Sequence, residues 1–354
     1  MHSIGILSTG SYLPERVVRN AEIAEQAGVD PAWIERKTGI RERRRAAPEQ
    51  ATSDLAAVAA DRALLAAGLR AGDIDLIVVA TSTPDHPQPA TASIVQHLTG
   101  AERAAAVDVN AVCSGFVYAL AMAEGLLRSR GGDGHALVIG ADIYSRILDH
   151  RDRRTAVLFG DGAGAVVVGP VAGADGFIGT RLRGHGDGHR LISVPAGGSR
   201  KPPSEQTVRD GEHYFTMDGR GVRDFVTGEV PEAVAQLLRD CGLGTDEVDH
   251  LVPHQANGVL LRELWPALKL PRAALHLTVE HCANTGSASV PVTLDAAHRA
   301  GDLRKGDTVL LAGFGGGMNT GLALCRWTAT AAADPVRDAD PRAGGPGERP
   351  TSRV

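Results

Sequence analysis

The feature that most constrains this chain is that it repeats itself. The segment ALLAAGLRAGDIDLIV (63–78) aligns without a gap on LLRDCGLGTDEVDHLV (237–252). Gly68 falls on Gly242, Asp75 on Asp249 and Val78 on Val252, at one constant separation. Further on, ALVIGA (136–141) aligns on VLLAGF (309–314) in the same order and at nearly the same separation. Two matches in the same order at nearly the same separation predict two copies of one folding unit. The halves are expected at 1–172 and 173–328, the second including a polar loop at about 198–214. A tail over 329–354, rich in Pro, Gly and charge and without apolar periodicity, is expected to be disordered.

Within each copy the pattern is α/β. Ala51–Leu69 has helical spacing with few breakers. DLIVVAT (75–81) and HALVIGAD (135–142) are short apolar runs of the kind that form buried strands. FVYALAMAEGLL (116–127) reads as an apolar helix. AVLFGDGAGAVVVG (156–169) reads as two strands joined by a glycine-rich turn. Near-continuous apolar strands alternating with helices predict a layered sheet covered on both faces.

Composition excludes several function classes. The formal charge is -5, without a basic stripe, and aromatic residues make up 4% of the chain, so no nucleic-acid surface is indicated. No apolar run reaches the length of a membrane span, and MHSIGILSTGSYLP lacks the organisation of a signal peptide. Cys113, Cys241, Cys282 and Cys325 show no CxxC spacing, so the expectation is free thiols in the cytoplasm and no metal site.

Three short motifs carry chemistry. Cys113, in DVNAVCSGF, lies between a predicted strand and a predicted helix. A helix N-terminus is expected to lower the thiol pKa and favour the nucleophilic thiolate. His254, in VPHQAN, directly follows the second copy's strand, and ligands gather at such strand ends. Asn284, in EHCANTGSAS, sits in a turn before an apolar helix, where its amide could donate to an oxyanion. Taken singly, each reads more readily as a structural residue. GFGGGMNTG (313–321) allows close backbone approach to a ligand. FGDGAGA (159–165) lacks dinucleotide-loop spacing and precedes a strand, so that reading is rejected.

Jointly, and with WIERKTGIRERR (33–44) and RRTAVLFGDGAGAVVV (153–168), these motifs resemble the β-ketoacyl-acyl-carrier-protein synthase III group of the thiolase superfamily. The resemblance runs from about Ile4 to Trp327. It implies an α/β, thiolase-like duplicated five-layered α-β-α-β-α fold in a homodimer. It implies that Cys113 takes an acyl group from an acyl thioester, with the backbone N–H groups of Cys113 and Gly316 as oxyanion hole. His254 and Asn284 would then donate to the oxygen of a malonyl-type thioester during decarboxylative condensation, in fatty-acid or polyketide priming. No cofactor is implied; acyl-CoA and acyl carrier protein are the expected partners.

By the same resemblance Trp33, Lys37 and Arg153 would contact coenzyme A, and Asn257 and Arg262 would serve CoA or carrier binding. The pattern also departs from the family. Val259 stands where an arginine commonly docks the carrier protein, and Lys37 where an arginine is usual. Gln88 replaces a residue, often Phe, that crosses the dimer interface to floor the partner's acyl pocket. A polar floor there points away from a plain short alkyl primer. The departures leave an alternative open: a secondary-metabolite acyltransferase that passes the Cys113-bound acyl group to an oxygen or nitrogen nucleophile, with His254 as general base.

Overall fold

A computed structural model describes residues 2–173 and 175–329. The first half runs β1 (Ser3–Tyr12), β2 (Arg16–Arg19), α1 (Asn20–Ala27), α2 (Pro31–Thr38), β3 (Glu42–Arg45), α3 (Thr52–Ala67) and β4 (Leu76–Ala80). It continues α4 (Thr91–Thr99), β5 (Ala105–Val109), α5 (Gly115–Ser129), β6 (Ala136–Ile143) and β7 (Asp161–Val171). The second half runs β8 (Gly176–Gly184), β9 (Ile192–Ser193), α6 (Glu205–Arg209), β10 (Thr216–Met217), α7 (Gly219–Asp240) and β11 (His250–Pro253). It ends with α8 (Gly258–Ala267), β12 (Ala274–Leu275), α9 (Val279–Cys282), α10 (Ser289–Arg299), β13 (Thr308–Gly315) and β14 (Asn319–Arg326).

The duplication is visible in the sheets. One five-stranded sheet has the order β1-β7-β6-β4-β5 and the other β8-β14-β13-β11-β12, so each strand holds the same place in its sheet as its repeat counterpart. The aligned segment ends a helix in both copies, α3 and α7. There Gly68 and Gly242 both take a φ of 67°, a left-handed conformation that costs glycine little. After it β4 and β11 start at equivalent positions, Leu76 and His250.

Strand alternation builds the layers. Val78, Ala80 and Val138 face inward with Phe116, Leu120 and Leu127 of α5, Val290 and Leu294 of α10, and Val252, Val309 and Leu311 of the second sheet. Ile77, Val79, Leu137 and Ile139 face the other way, onto α3 and α4. The outer face of the second sheet buries Leu251, Leu310 and Leu322 against α7 and α8. The result is α3/α4, sheet, α5/α10, sheet, α7/α8: the expected five layers.

Two expectations change. The segment 156–169 holds one strand, β7 from Asp161, not two. Its glycines serve packing and not a turn: a Cβ on Gly164 would stand 2.7 Å from the Val292 nitrogen of α10. The polar segment 198–214 is largely exposed but contains α6, capped by Ser204. Ala329 is buried in the core, and the tail expected to be disordered otherwise lies outside the described residues. Among the described residues no helix is long and apolar enough to cross a membrane.

Candidate active site

A cavity of about 310 Å³ opens where β5, β11 and β13 end, the carboxyl-end position that favours ligand sites in α/β sheets. Cys113, His254 and Asn284 all line it. Residues far apart in sequence and supplied by both halves therefore converge on one space.

Cys113 sits on a 3-10 turn, Val112–Ser114, that leads into α5. Val112 before it has a φ of 48°, a strained value for a β-branched residue and the kind of sharp turn that aims a side chain. Space for the thiol comes from Gly315, where a Cβ would lie 2.7 Å from the Cys113 Cβ. The expected low thiol pKa is overturned. Burial pushes Cys113 up to about 12, the Asp142 carboxylate adds to this, and a hydrogen bond with the Tyr144 hydroxyl opposes it. The helix start is there, but it lies inside a packed interior where charge is poorly solvated.

His254 follows β11 and is fully buried. Burial alone lowers its pKa to about 3, so the ring is neutral near pH 7. Its Nδ1 lies 2.7 Å from the Ser289 Oγ, and Phe314 packs edge-on at 5.3 Å. The neighbouring Gln255 ties down the strap toward Asn284: its Oε1 accepts the Thr278 and Val279 N–H groups at 2.9 and 3.1 Å. Asn284 Oδ1 accepts the Gly286 N–H at 2.9 Å, which leaves the Nδ2 hydrogens as donors toward the cavity.

Behind Cys113 stands an aromatic wall. Tyr144 stacks on Phe159 at 4.4 Å, and Phe215 packs on both at 5.6 and 5.0 Å. Phe159 and Phe215 line the cavity. Sequence reasoning missed Tyr144, Phe159 and Phe215; Tyr144 follows the end of β6, a position that the strand-end rule could have flagged. It also missed Asp142. Its Oδ1 accepts from Thr81, Ser82 and Thr83, and its Oδ2 from the Ser287 N–H and hydroxyl, both at 2.7 Å.

Comparison with known proteins decides the family. Residues 107–186 match the family described as 3-oxoacyl-(acyl-carrier-protein (ACP)) synthase III, and 238–327 match its C-terminal region. The chain is 43% identical over 324 residues to a β-ketoacyl-(acyl-carrier-protein) synthase III of Caldanaerobacter subterraneus subsp. tengcongensis, covering 92% of this chain and 98% of that one. This chain belongs to the synthase III family. It is also 56% identical over 324 residues to an acetoacetyl CoA synthase, NphT7, of Streptomyces sp. strain CL190, covering 91% and 98%. The crystal structure of 3-oxoacyl-(acyl carrier protein) synthase III, FabH, from Pseudomonas aeruginosa PAO1 superposes with a TM-score of 0.84 at 36% identity, over 94% of this chain and all of that one.

The other positions suggested by the synthase III resemblance divide. Lys37 lines the cavity, and so does Asn257, whose Oδ1 caps α8 by accepting the Leu260 N–H at 2.8 Å. Trp33 is half-buried against Ile23 and Ile34 and does not line it. Arg153 is exposed and does not line the cavity, whereas Arg154 does. Arg154 is held by Asp152 at 2.9 Å. Arg262 is exposed, with its guanidinium near Gly39 and Gly258. Gln88 is exposed on the loop after β4, away from its own cavity. Gly315 lines the cavity; the open side of Gly316 faces Val112 and Ile192.

Proposed function

We propose that this chain condenses acetyl-CoA with malonyl-CoA to give acetoacetyl-CoA, carbon dioxide and free CoA, as an acyltransferase. The observation that carries the reading is the meeting of Cys113, His254 and Asn284 in one cavity. Cys113 attacks the acetyl thioester, and the proton it loses is the one CoA takes up as it leaves. The Cys113 and Gly316 N–H groups serve as donors to the tetrahedral oxyanion. Malonyl-CoA then loses carbon dioxide while the neutral His254 and the Asn284 amide donate to its thioester oxygen. The resulting carbanion attacks acetyl-Cys113, and the departing thiolate regains a proton from solvent.

An acetyl primer suits a thiol that shares its cavity with the bulky rings of Phe159 and Phe215, which pack on Tyr144. In this reading these rings set primer length before Gln88 of the partner subunit could. A CoA-borne extender suits the rim. Val259 offers no charge, and Arg223 is already paired with Glu263 at 3.0 Å and Asp224 at 3.7 Å. Lys37 and Arg153 remain for the CoA phosphates. The name of the Streptomyces relative points the same way.

The partner we propose is a second copy joined along β5. That strand is a sheet edge, and Val107 on it and Met122 and Leu126 on α5 beside it are exposed. Sedimentation should show two subunits; a monomer at micromolar concentration would exclude this. We place the enzyme in the cytoplasm, where its four unpaired cysteines stay reduced.

The deciding experiment supplies acetyl-CoA and labelled malonyl-CoA. Expected are acetoacetyl-CoA and carbon dioxide, with acetyl but not octanoyl adducts on Cys113 by intact mass. His254→Ala or Asn284→Ala should slow condensation by about a hundredfold or more while Cys113 still acetylates. Acetyl-enzyme without carbon dioxide release would replace condensation by transfer to an oxygen or nitrogen nucleophile.

A further inference from the structure

His254 can help the extender only as a hydrogen-bond donor, and a neutral imidazole carries one N–H. Which nitrogen holds it is decided by the partner of the other. The partner here is Ser289, the first residue of α10, 1% exposed. Its Oγ lies 2.7 Å from Nδ1 and also accepts the Gln255 N–H at 3.3 Å. The hydroxyl has one hydrogen and two lone pairs; the Gln255 N–H takes one lone pair, and Nδ1 is the acceptor that the described residues place beside its hydrogen. Nδ1 then accepts. Phe314, edge-on to the imidazole, holds the ring plane.

We propose that Ser289 is a positioning residue for condensation: its hydroxyl donates to Nδ1 of His254 and so keeps the ring hydrogen on Nε2, facing the extender's thioester oxygen. The role in catalysis rests on the condensation reading above; the hydrogen-bond assignment does not. The opposite tautomer would present a lone pair to an oxygen that is gaining negative charge. Ser289 thus sets the sign of the interaction without touching substrate. Asn284 reaches the same end differently, since the Gly286 N–H fixes its amide orientation. Both donors are therefore oriented by the turn that opens α10.

The first test needs no turnover. In intact protein labelled with nitrogen-15 histidine, His254 is identified among the 13 histidines by its loss in His254→Ala. Long-range proton–nitrogen correlation should show an unprotonated Nδ1 and a protonated Nε2. A hydrogen on Nδ1 overturns the proposal. The second test is kinetic. Ser289→Ala should lower kcat for condensation about tenfold, the loss of one buried hydrogen bond, with the KM for malonyl-CoA and the rate of Cys113 acetylation little changed. Ser289→Thr, which keeps the hydroxyl, should restore most of it. Equal slowing of both half-reactions, or no slowing, overturns the proposal. If Ser289→Ala does not fold, the nitrogen spectrum of the unmodified protein decides. Absence of condensation in the unmodified protein would sink the function reading and leave the spectrum standing.

Discussion

The turn that carries Cys113 and the turn that carries Asn284 are the same turn used twice. Asn110–Gly115 (NAVCSG) and Asn284–Ser289 (NTGSAS) occupy equivalent places, each leading into a central helix. Asn110 accepts the Val112 N–H at 3.2 Å as Asn284 accepts that of Gly286 at 2.9 Å. Val112 and Gly286 share a left-handed backbone, with φ of 48° and 59°. Each turn also seats on a glycine of the other half. A Cβ on Gly140 would strike the Ser287 carbonyl, and one on Gly313 would lie 2.8 Å from the Ser114 Cα.

The difference between them arises two residues further along the supporting strands. The first half places Asp142 there, which grips Ser287, the counterpart of Cys113. The second half places Gly315 there, which leaves Cys113 unclasped and facing the cavity. Meanwhile Asn284 reaches the cavity, whereas Asn110 is exposed at the surface. The same turn thus yields a nucleophile in one copy and a hydrogen-bond donor in the other. What differs is chiefly what the opposite strand supplies.

The strongest way to break that comparison is Gly315→Ala. The new Cβ would crowd both the Cβ and the nitrogen of Cys113, at 2.7 and 3.1 Å. Acetylation should fall at least about a hundredfold, since displacement of a reacting atom by about 1 Å has that cost. Near-normal acetylation, measured by rapid quench and mass, would show that the open strand position is not what frees the thiol.

Asp142→Asn sharpens it with a smaller effect. The substitution keeps shape but turns an amide NH₂ toward groups that are themselves donors, and should destabilise the fold by about 1–3 kcal/mol. Because the carboxylate raises the thiol pKa of Cys113, its removal lowers that pKa. The pH profile of alkylation by iodoacetamide should therefore move to lower pH. An unmoved profile would show that the Asp142 charge does not act on the Cys113 thiol.

The fold was legible because the repeat is written in strands and in the Gly68 and Gly242 caps, all local signals. Cys113, His254 and Asn284 were legible only jointly, because nothing in 113, 254 or 284 alone says that three strand ends meet. The Cys113 pKa was misread because a helix start can be inferred from local pattern, whereas burial depth depends on what packs over it from the other half. Gly164 was misread for the same reason: its neighbour, α10, is remote in sequence. Arg153 and Arg154 are adjacent, and the sequence does not say that Arg154 is the one that lines the cavity. Ser289 carries no signal until the start of α10 is known to lie beside His254.

The reciprocal seating on Gly140 and Gly313 bears on how such a chain could arise. A single half would leave its turn without a seat and its central helix half-covered, so an ancestral half could close its core only against an identical twin. In that symmetric pair both turns would have to be alike, and no change could favour a nucleophile on one side without imposing it on the other. Joining the twins in one chain removes that restriction. It also raises the local concentration of each half for its mate, so that the two turns can diverge without losing each other. Division of labour within this cavity is then a product of covalent fusion as much as of any single residue.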